Sequence, residues 1–255
     1  MHIETCGNGP DVVLVHGWAM HGGIFASLTQ YLAPHFRLHL VDLPGHGFSR
    51  NDVAPLDLHD IAQRIAVDTP PALWLGWSLG GLVALRAALD RTDHVRGLVL
   101  IATNPRFVTT PGWPQGVARE VFDSFATDVR SDYRRAIDRF LALELHGSDN
   151  ANVHLRDLGR RVFERGDPSV DVLHRGLDLL EQTDFRAELP RLEMPSLWIA
   201  GRRDKLVPPA AMRWGATHSP RGTYLELGAG HAPFLGHAQA ISKAIDAFAR
   251  AAEPT

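Results

Sequence analysis

Short apolar runs separated by polar segments recur along the first part of the chain and again near its end. Six of them combine leucine, β-branched and aromatic residues and are bounded by turn formers, which is typical of buried parallel strands. These predicted strands are residues 11–17 (DVVLVHG), 36–42 (FRLHLVD), 73–77 (LWLGW), 97–103 (GLVLIAT), 196–201 (SLWIAG) and 223–228 (TYLELG).

Helix-compatible segments lie between the early strands, beginning at Phe25, Leu58 and Leu82. Alternating strands and helices predict an α/β fold in which helices flank a mostly parallel sheet. Because such sheets bind ligands in the loops at the carboxyl ends of their strands, we expect the reactive side chains there.

The alternation stops after Thr103. Residues 106–184 carry no convincing strand pattern, and segments such as VFDSFATDV, YRRAIDRFLALEL, LRDLGRRVF and VLHRGLDLLEQ have the spacing of amphipathic helices. We therefore predict a core formed by residues 1–105 and 185–255, interrupted by a helical insertion at residues 106–184, which we call the cap.

The overall composition is that of an ordinary globular protein, with 45% hydrophobic residues, 22% charged residues and a net charge of −3. This balance gives no reason to expect a nucleic-acid or membrane partner. The single cysteine, Cys6, excludes an internal disulfide and a cysteine zinc cluster. Since the first residues resemble neither a signal peptide nor a membrane span, we expect a cytoplasmic protein.

Ser78 lies where the third predicted strand gives way to a helix, in the sequence Gly76-Trp77-Ser78-Leu79-Gly80. This G-x-S-x-G pattern between a strand and a helix favours a nucleophilic serine on a tight turn. A plain turn built from small residues is the alternative.

A serine nucleophile needs a general base and an acid that orients the base. Asp204 follows the fifth predicted strand in GRRDKLVP, and His231 follows the sixth in GAGHAPF. The order Ser78, Asp204, His231 is the one expected for this kind of fold. Asp42 also follows a strand, but it precedes the serine, and we interpret it as structural.

Two backbone donors are needed to hold the oxyanion of an acyl-transfer intermediate. Leu79 N–H follows the nucleophile directly, and Trp18 N–H in the loop after the first predicted strand is the second candidate. His16 precedes Trp18 in the same loop and is expected to maintain the shape of the loop rather than to transfer protons.

Other chemistries lack their motifs. The chain has no glycine-rich phosphate-binding pattern and no histidine or cysteine spacing typical of a metal site. We therefore expect neither an organic cofactor nor a metal ion.

The motifs LVHGW, VDLPGHGFS, LGWSLGGLVA, GRRDKLVP and GAGHAPF occur in an order that resembles the α/β-hydrolases over nearly the whole chain. LHLVDLPGHGFSR and RFLAL more narrowly resemble the pimeloyl-acyl carrier protein methyl ester esterases of biotin synthesis. The resemblance implies hydrolysis of that methyl ester, with Ser78 as nucleophile, His231 as base and acid, and Asp204 as orienter.

The resemblance also implies substrate contacts. The cap segment Phe140, Leu141, Ala142, Leu143 and Glu144 would contact the acyl chain, and the position of Trp18 in its loop independently predicts that its indole forms an apolar wall beside the serine. The stripe formed by Ala136, Phe140 and Leu143 would equally suit the cap's own core, and the sequence leaves the two possibilities open.

An acyl carrier protein is the partner that the resemblance implies. Arg139 and Arg156 have no acid three or four residues away, and Arg135 lies one turn before Arg139 on the same face, although Asp132 and Asp138 flank it. Unpaired arginines are suited to a carboxylate or phosphate of a partner, so we expect all three to dock the carrier unless acids elsewhere in the fold pair with them.

The sequence leaves three other functions open. The same triad serves broad-specificity carboxylesterases and hydrolases of carbon–carbon bonds, and a ligand-binding receptor built on the fold would retain all three residues. The chain is expected to be a monomer.

Overall fold

The computed structural model describes residues 1–144, 159 and 161–252. Within them, seven strands lie at β1 His2–Cys6, β2 Asp11–Val15, β3 Arg37–Asp42, β4 Ala72–Trp77, β5 Val95–Ile101, β6 Ser196–Gly201 and β7 Gly222–Leu227. They form one sheet in the order β1-β3-β2-β4-β5-β6-β7. β1 is antiparallel to β3, and all other neighbours are parallel.

Among the described residues, α-helices lie at α1 Ala26–Leu32, α2 Leu58–Asp68, α3 Leu79–Asp90, α4 Arg119–Ser131, α5 Tyr133–Glu144, α6 Val170–Gln182, α7 Pro209–His218 and α8 Phe234–Ala252, and residues 161–164 are also helical. α1 packs on α8 and α2 packs on α3. The α/β fold predicted from the sequence is confirmed. None of the described helices combines the length and hydrophobicity that a bilayer span requires.

All six strands predicted from apolar runs are present, within two residues at each end. The additional strand, β1, was not predicted from the sequence. It lies at the edge of the sheet, and its residues are exposed or half-buried, so it lacks the continuous apolar run that marks the central strands.

Three of the helices, α4, α5 and α6, fall in the cap. α6 illustrates how the sequence determines them: the Ser169 side chain accepts a hydrogen bond from Val172 N–H at 3.2 Å and caps the helix. Leu173, Leu177 and Leu180 then recur at helical spacing and are buried. Most of the predicted helix LRDLGRRVF lies outside the described residues, and the division into core and cap stays a prediction.

Candidate active site

Ser78 lies on the turn between β4 and α3 with a φ of 54°, in a region of backbone conformation that side chains other than glycine rarely adopt. Backbone packs closely on both sides of this turn. A Cβ at Gly76 would overlap the carbonyl of Gly80, and a Cβ at Gly80 would overlap the carbonyl of Val15. The two glycines of the motif therefore allow the sharp turn that holds the serine hydroxyl beyond the sheet edge.

The three predicted triad residues converge in one hydrogen-bond chain. His231 Nε2 lies 3.0 Å from Ser78 Oγ, and His231 Nδ1 lies 2.8 Å from Asp204 Oδ2. The other oxygen of Asp204 accepts the N–H groups of Leu206 at 2.8 Å and Val207 at 2.9 Å. The carboxylate is thus fixed by its own loop, and it fixes the imidazole in turn.

Trp77, directly before the serine, contributes a contact that the sequence analysis did not identify. Its indole N–H donates to the carbonyl oxygen of His231 at 2.9 Å, and its ring lies 5.8 Å from the imidazole ring. Most buried tryptophans find an acceptor for their N–H, and this tendency is the only signal that the sequence offers. Trp77 therefore anchors the backbone of the loop that carries His231.

The two predicted oxyanion donors lie beside the serine. Leu79 is the first residue of α3, so its N–H has no acceptor within the helix. The N–H of Trp18 has no acceptor among the described residues, and a Cβ built on the preceding Gly17 would lie 3.2 Å from the Cβ of Ser78. Both backbone groups are therefore available near the hydroxyl.

Both ring nitrogens of His16 form hydrogen bonds that stabilise neighbouring loops. Nε2 accepts the N–H of Leu43 at 3.0 Å, and Nδ1 donates to the carbonyl of Gly17 at 2.8 Å. Burial lowers the pKa of His16 to about 3 and that of its neighbour His46 to about 4, so both imidazoles are neutral near pH 7.

Asp42 forms its hydrogen bonds and its ion pair with residues outside the predicted triad. Its carboxylate accepts the N–H groups of Gly22 at 2.7 Å and Phe48 at 2.8 Å, and it pairs with Arg165 of the cap at 3.3 Å. Burial alone would raise the pKa of this carboxyl, but these hydrogen bonds and the arginine charge hold it below its usual range. Asp42 thus joins two core loops to the cap.

An apolar cavity of about 90 Å³ lies over the serine. The sheet edge supplies Ser78, His231 and Trp18, and the helices α4, α5 and α6 supply Phe122, Phe125, Phe140, Leu177 and Leu180. Phe140 lies edge-on to Trp18 at 5.2 Å and 6.4 Å from the ring of His231. The cavity suits a hydrocarbon chain that ends at the serine hydroxyl.

The rest of the predicted acyl-contact segment is distributed differently. Leu141 is buried but is not part of the cavity wall, and Ala142 is exposed. Leu143 and Glu144 belong to α5, but their side chains lie outside the described part of the structure. A helix turns about 100° per residue, so the adjacent side chains of Phe140 and Leu141 point in different directions.

The predicted docking arginines also differ from one another. Arg139 has no acid at helical spacing, and the alternative that the sequence left open applies to it: its guanidinium donates to Asp128 of α4 at 2.6 Å. Asp128 is eleven residues away on another helix, beyond the reach of a same-helix spacing rule. Arg135 is exposed and has no side-chain ion pair with any described residue, and Arg156 lies outside the described residues.

A larger groove of about 930 Å³ lies at the opposite edge of the sheet, against Asp11, Leu73 and Val95 at the starts of β2, β4 and β5. It contains none of the triad residues. Over the part of the chain that the structure describes, no group of three histidine, cysteine or acidic side chains is arranged to hold a metal ion.

The sheet, the turn at Ser78 and the triad geometry are those of an α/β hydrolase. The family described as alpha/beta hydrolase fold matches residues 10–238, and the chain belongs to it. Among solved structures, an esterase from Exiguobacterium antarcticum matches with a TM-score of 0.88 and 21% identity, covering 98% of this chain and 95% of that one.

Closer relatives carry a particular name. A protein of Xanthomonas oryzae pv. oryzae named pimeloyl-[acyl-carrier protein] methyl ester esterase is 55% identical over 249 residues, 97% of this chain and 98% of the relative. A protein of Stenotrophomonas maltophilia with the same name is 52% identical over 255 residues, 100% and 98% of the two chains.

Proposed function

We propose that this chain is a serine esterase that hydrolyses the methyl ester of pimeloyl-acyl carrier protein, releasing methanol and the free ω-carboxylate needed for biotin synthesis. The observation that carries the reaction is the hydrogen-bond chain from Asp204 through His231 to Ser78 at the end of an apolar cavity. The acyl group is inferred from the relatives that share more than half of their residues with this chain.

In the proposed reaction, Ser78 Oγ attacks the ester carbonyl while His231 Nε2 takes its proton. The N–H groups of Trp18 and Leu79 hold the oxyanion of the tetrahedral intermediate. Methanol leaves with the proton from His231. A water molecule, deprotonated by the same imidazole, then attacks the acyl-enzyme, and the carboxylic acid and the free serine are released.

The apolar lining of the cavity suits an acyl chain that enters with an uncharged ester at its reactive end. The five methylenes of a pimeloyl group carry no charge, and the ester at their end is neutral until it is hydrolysed. The product carboxylate would be left against apolar side chains, where a charged group is costly. Hydrolysis therefore weakens binding of the acyl chain in the cavity and favours release of the product. We propose that the cap forms this cavity.

The thioester end of the substrate must leave the cavity toward the carrier. Arg135 is the docking residue that the described contacts favour, because its guanidinium is exposed without an ion pair, whereas that of Arg139 is paired with Asp128. Arg156 remains a sequence-based candidate. The monomeric state and the cytoplasmic location are likewise predictions from the sequence.

The direct test is mass spectrometry of the carrier after incubation with the enzyme. We expect the methyl ester of pimeloyl-acyl carrier protein to lose the mass of one methylene group, and Ser78→Ala to abolish that loss. Ser124→Ala, at an exposed position of α4, is the matched control and should retain full activity.

A broad-specificity carboxylesterase is the alternative that this test must separate. That enzyme would hydrolyse free dimethyl pimelate as efficiently as the carrier-linked ester. A kcat/KM at least tenfold higher for the carrier-linked substrate supports the proposed function. Equal values would contradict the role of the carrier while leaving the esterase chemistry intact.

A further inference from the structure

The side chain of Trp18 joins the cap to the loop that holds one of the free backbone donors beside Ser78. The indole is 1% exposed, and its Nε1–H donates to the carbonyl oxygen of Leu173 in α6 at 2.8 Å. Its ring lies edge-on to Phe125 of α4 at 5.3 Å and to Phe140 of α5 at 5.2 Å. One side chain therefore contacts the three cap helices named above, α4, α5 and α6.

α6 approaches this indole more closely than a helix with ordinary side chains would. A Cβ built on Gly176 would lie 2.7 Å from Cδ1 and 3.2 Å from Nε1 of Trp18, the first of which is an overlap. Glycine is disfavoured inside helices relative to alanine, so its presence at this position costs helix stability. The close packing of the indole against α6 offsets this loss of helix stability.

The backbone of Trp18 follows its side chain closely because the loop is short and tightly turned. Met20 N–H donates to Gly17 carbonyl at 3.3 Å across the residue, and the next residue, Ala19, has a φ of 61°. A turn with a strained residue and an internal hydrogen bond has little freedom to absorb a shift of the indole. A displaced indole therefore moves the Trp18 N–H.

We propose that the Trp18 indole is a positioning group through which α6 sets the oxyanion site. The inference rests on the proposed esterase function, in which the Trp18 N–H holds the oxyanion. When α6 is seated on the indole, the donor lies in place; when the cap shifts, the donor shifts with it. Cap position and transition-state stabilisation are then coupled through one hydrogen bond and one glycine contact.

Trp18→Phe tests the hydrogen bond, because it keeps an aromatic ring and removes the N–H donor. The probe is p-nitrophenyl acetate, whose acetyl group is too short to depend on the cavity. We expect kcat to fall about 10- to 100-fold with KM within twofold, since loss of a whole oxyanion donor costs about 100- to 1,000-fold. Inhibition by 1,1,1-trifluoroacetone, which forms an alkoxide adduct with the serine, should weaken by a similar factor.

A second variant keeps the inference testable if Trp18→Phe is poorly folded. Gly176→Ala should lower kcat in the same way by pushing the indole from its seat. Gly159→Ala is the matched control in the cap, because among the described residues its Cβ would meet only Leu141 Cδ1, at an ordinary 3.9 Å. This variant should retain wild-type kcat.

The possible results separate the inference from the proposed function. An unchanged kcat in both Trp18→Phe and Gly176→Ala, with turnover still abolished by Ser78→Ala, overturns only the positioning role. A rise in KM confined to long acyl esters, with trifluoroacetone inhibition unchanged, also overturns it, because the indole would then be only a wall. Turnover that survives Ser78→Ala overturns the esterase function itself.

Discussion

The indole N–H of Trp77 donates to the carbonyl oxygen of His231 at 2.9 Å, so the residue before Ser78 holds the loop that carries His231. The contact joins the end of β4 to the loop after β7 across the sheet edge. The Ser78–His231 distance is therefore determined from both sides, by the turn that carries the hydroxyl and by an anchor on the imidazole's own backbone.

Trp77→Phe should lower kcat about tenfold and leave KM nearly unchanged, because it frees the His231 backbone without altering the cavity wall. Trp74→Phe is the matched control. Trp74 is equally buried on β4, but its indole N–H has no hydrogen-bond partner among the described residues. Steady-state kinetics with a short aryl ester makes the comparison, and an equal loss of kcat in both variants would contradict the anchoring role.

Acid should destabilise the fold through the buried histidines. Burial lowers the pKa of His16 to about 3 and of His46 to about 4, whereas both have a pKa of about 6.5 in the unfolded chain. The unfolded state therefore binds more protons below pH 6.5. Stability is complete above that pH and falls as the pH drops toward 4, by about 1.4 kcal/mol per pH unit for each histidine.

Urea unfolding between pH 7.5 and 5 measures this slope. His46→Gln keeps a donor for the Pro44 carbonyl that His46 Nδ1 meets at 3.0 Å, and should remove one histidine's share of the slope. His35→Gln, at an exposed position, should leave the slope unchanged. A slope that is identical in all three proteins would rule out His46 as a source of the acid sensitivity.

Phe140 and Leu141 are neighbours on α5 with different expected roles. Phe140→Ala removes a ring that lines the cavity and should shift the preference among methyl esters toward longer or bulkier acyl groups. Leu141→Ala should cost about 2 to 5 kcal/mol of stability, as other buried leucines do, with the order of preference unchanged. The ratio of kcat/KM for methyl octanoate and methyl butyrate reports the difference, and a similar change of ratio in both variants would contradict it.

Charge reversal at Arg135 should act only on the carrier-linked substrate. We expect Arg135→Glu to lower kcat/KM for the carrier methyl ester several-fold, an effect that weakens as salt rises, and to leave dimethyl pimelate hydrolysis unchanged. Arg96→Glu makes the same charge change at the start of β5, at the groove on the opposite edge of the sheet, and controls for net charge. Losses of equal size in the two variants would exclude specific docking at Arg135.

The sequence predicted what depends on local pattern and on chain order. Apolar runs marked the six strands β2 to β7, and the positions of Ser78, Asp204 and His231 after three of them implied that they meet, because the carboxyl ends of parallel strands lie on the same side of the sheet. The edge strand β1 carries no such run, since one side of it faces solvent. Its pairing with β3 comes from the fold rather than from its own residues.

Contacts between segments that are far apart along the chain could not be predicted from the sequence. The Asp128 partner of Arg139 lies on a different helix, and the acceptor of the Trp77 indole lies 154 residues away. Phe140 lines the cavity, but the predicted segment alone did not show which of its residues would do so. These relationships depend on how helices pack, which spacing rules within one helix do not describe.

The positive φ of Ser78 raises the free energy of the folded state, and favourable interactions elsewhere in the chain must offset this increase. A non-glycine residue held in a sparsely populated backbone region forfeits about 1 to 3 kcal/mol. Glycine at position 78 would relieve this cost and abolish the proposed chemistry. A chain optimised only to stay folded would not keep a serine here, and under the proposed function this residue exchanges thermodynamic stability for reactivity.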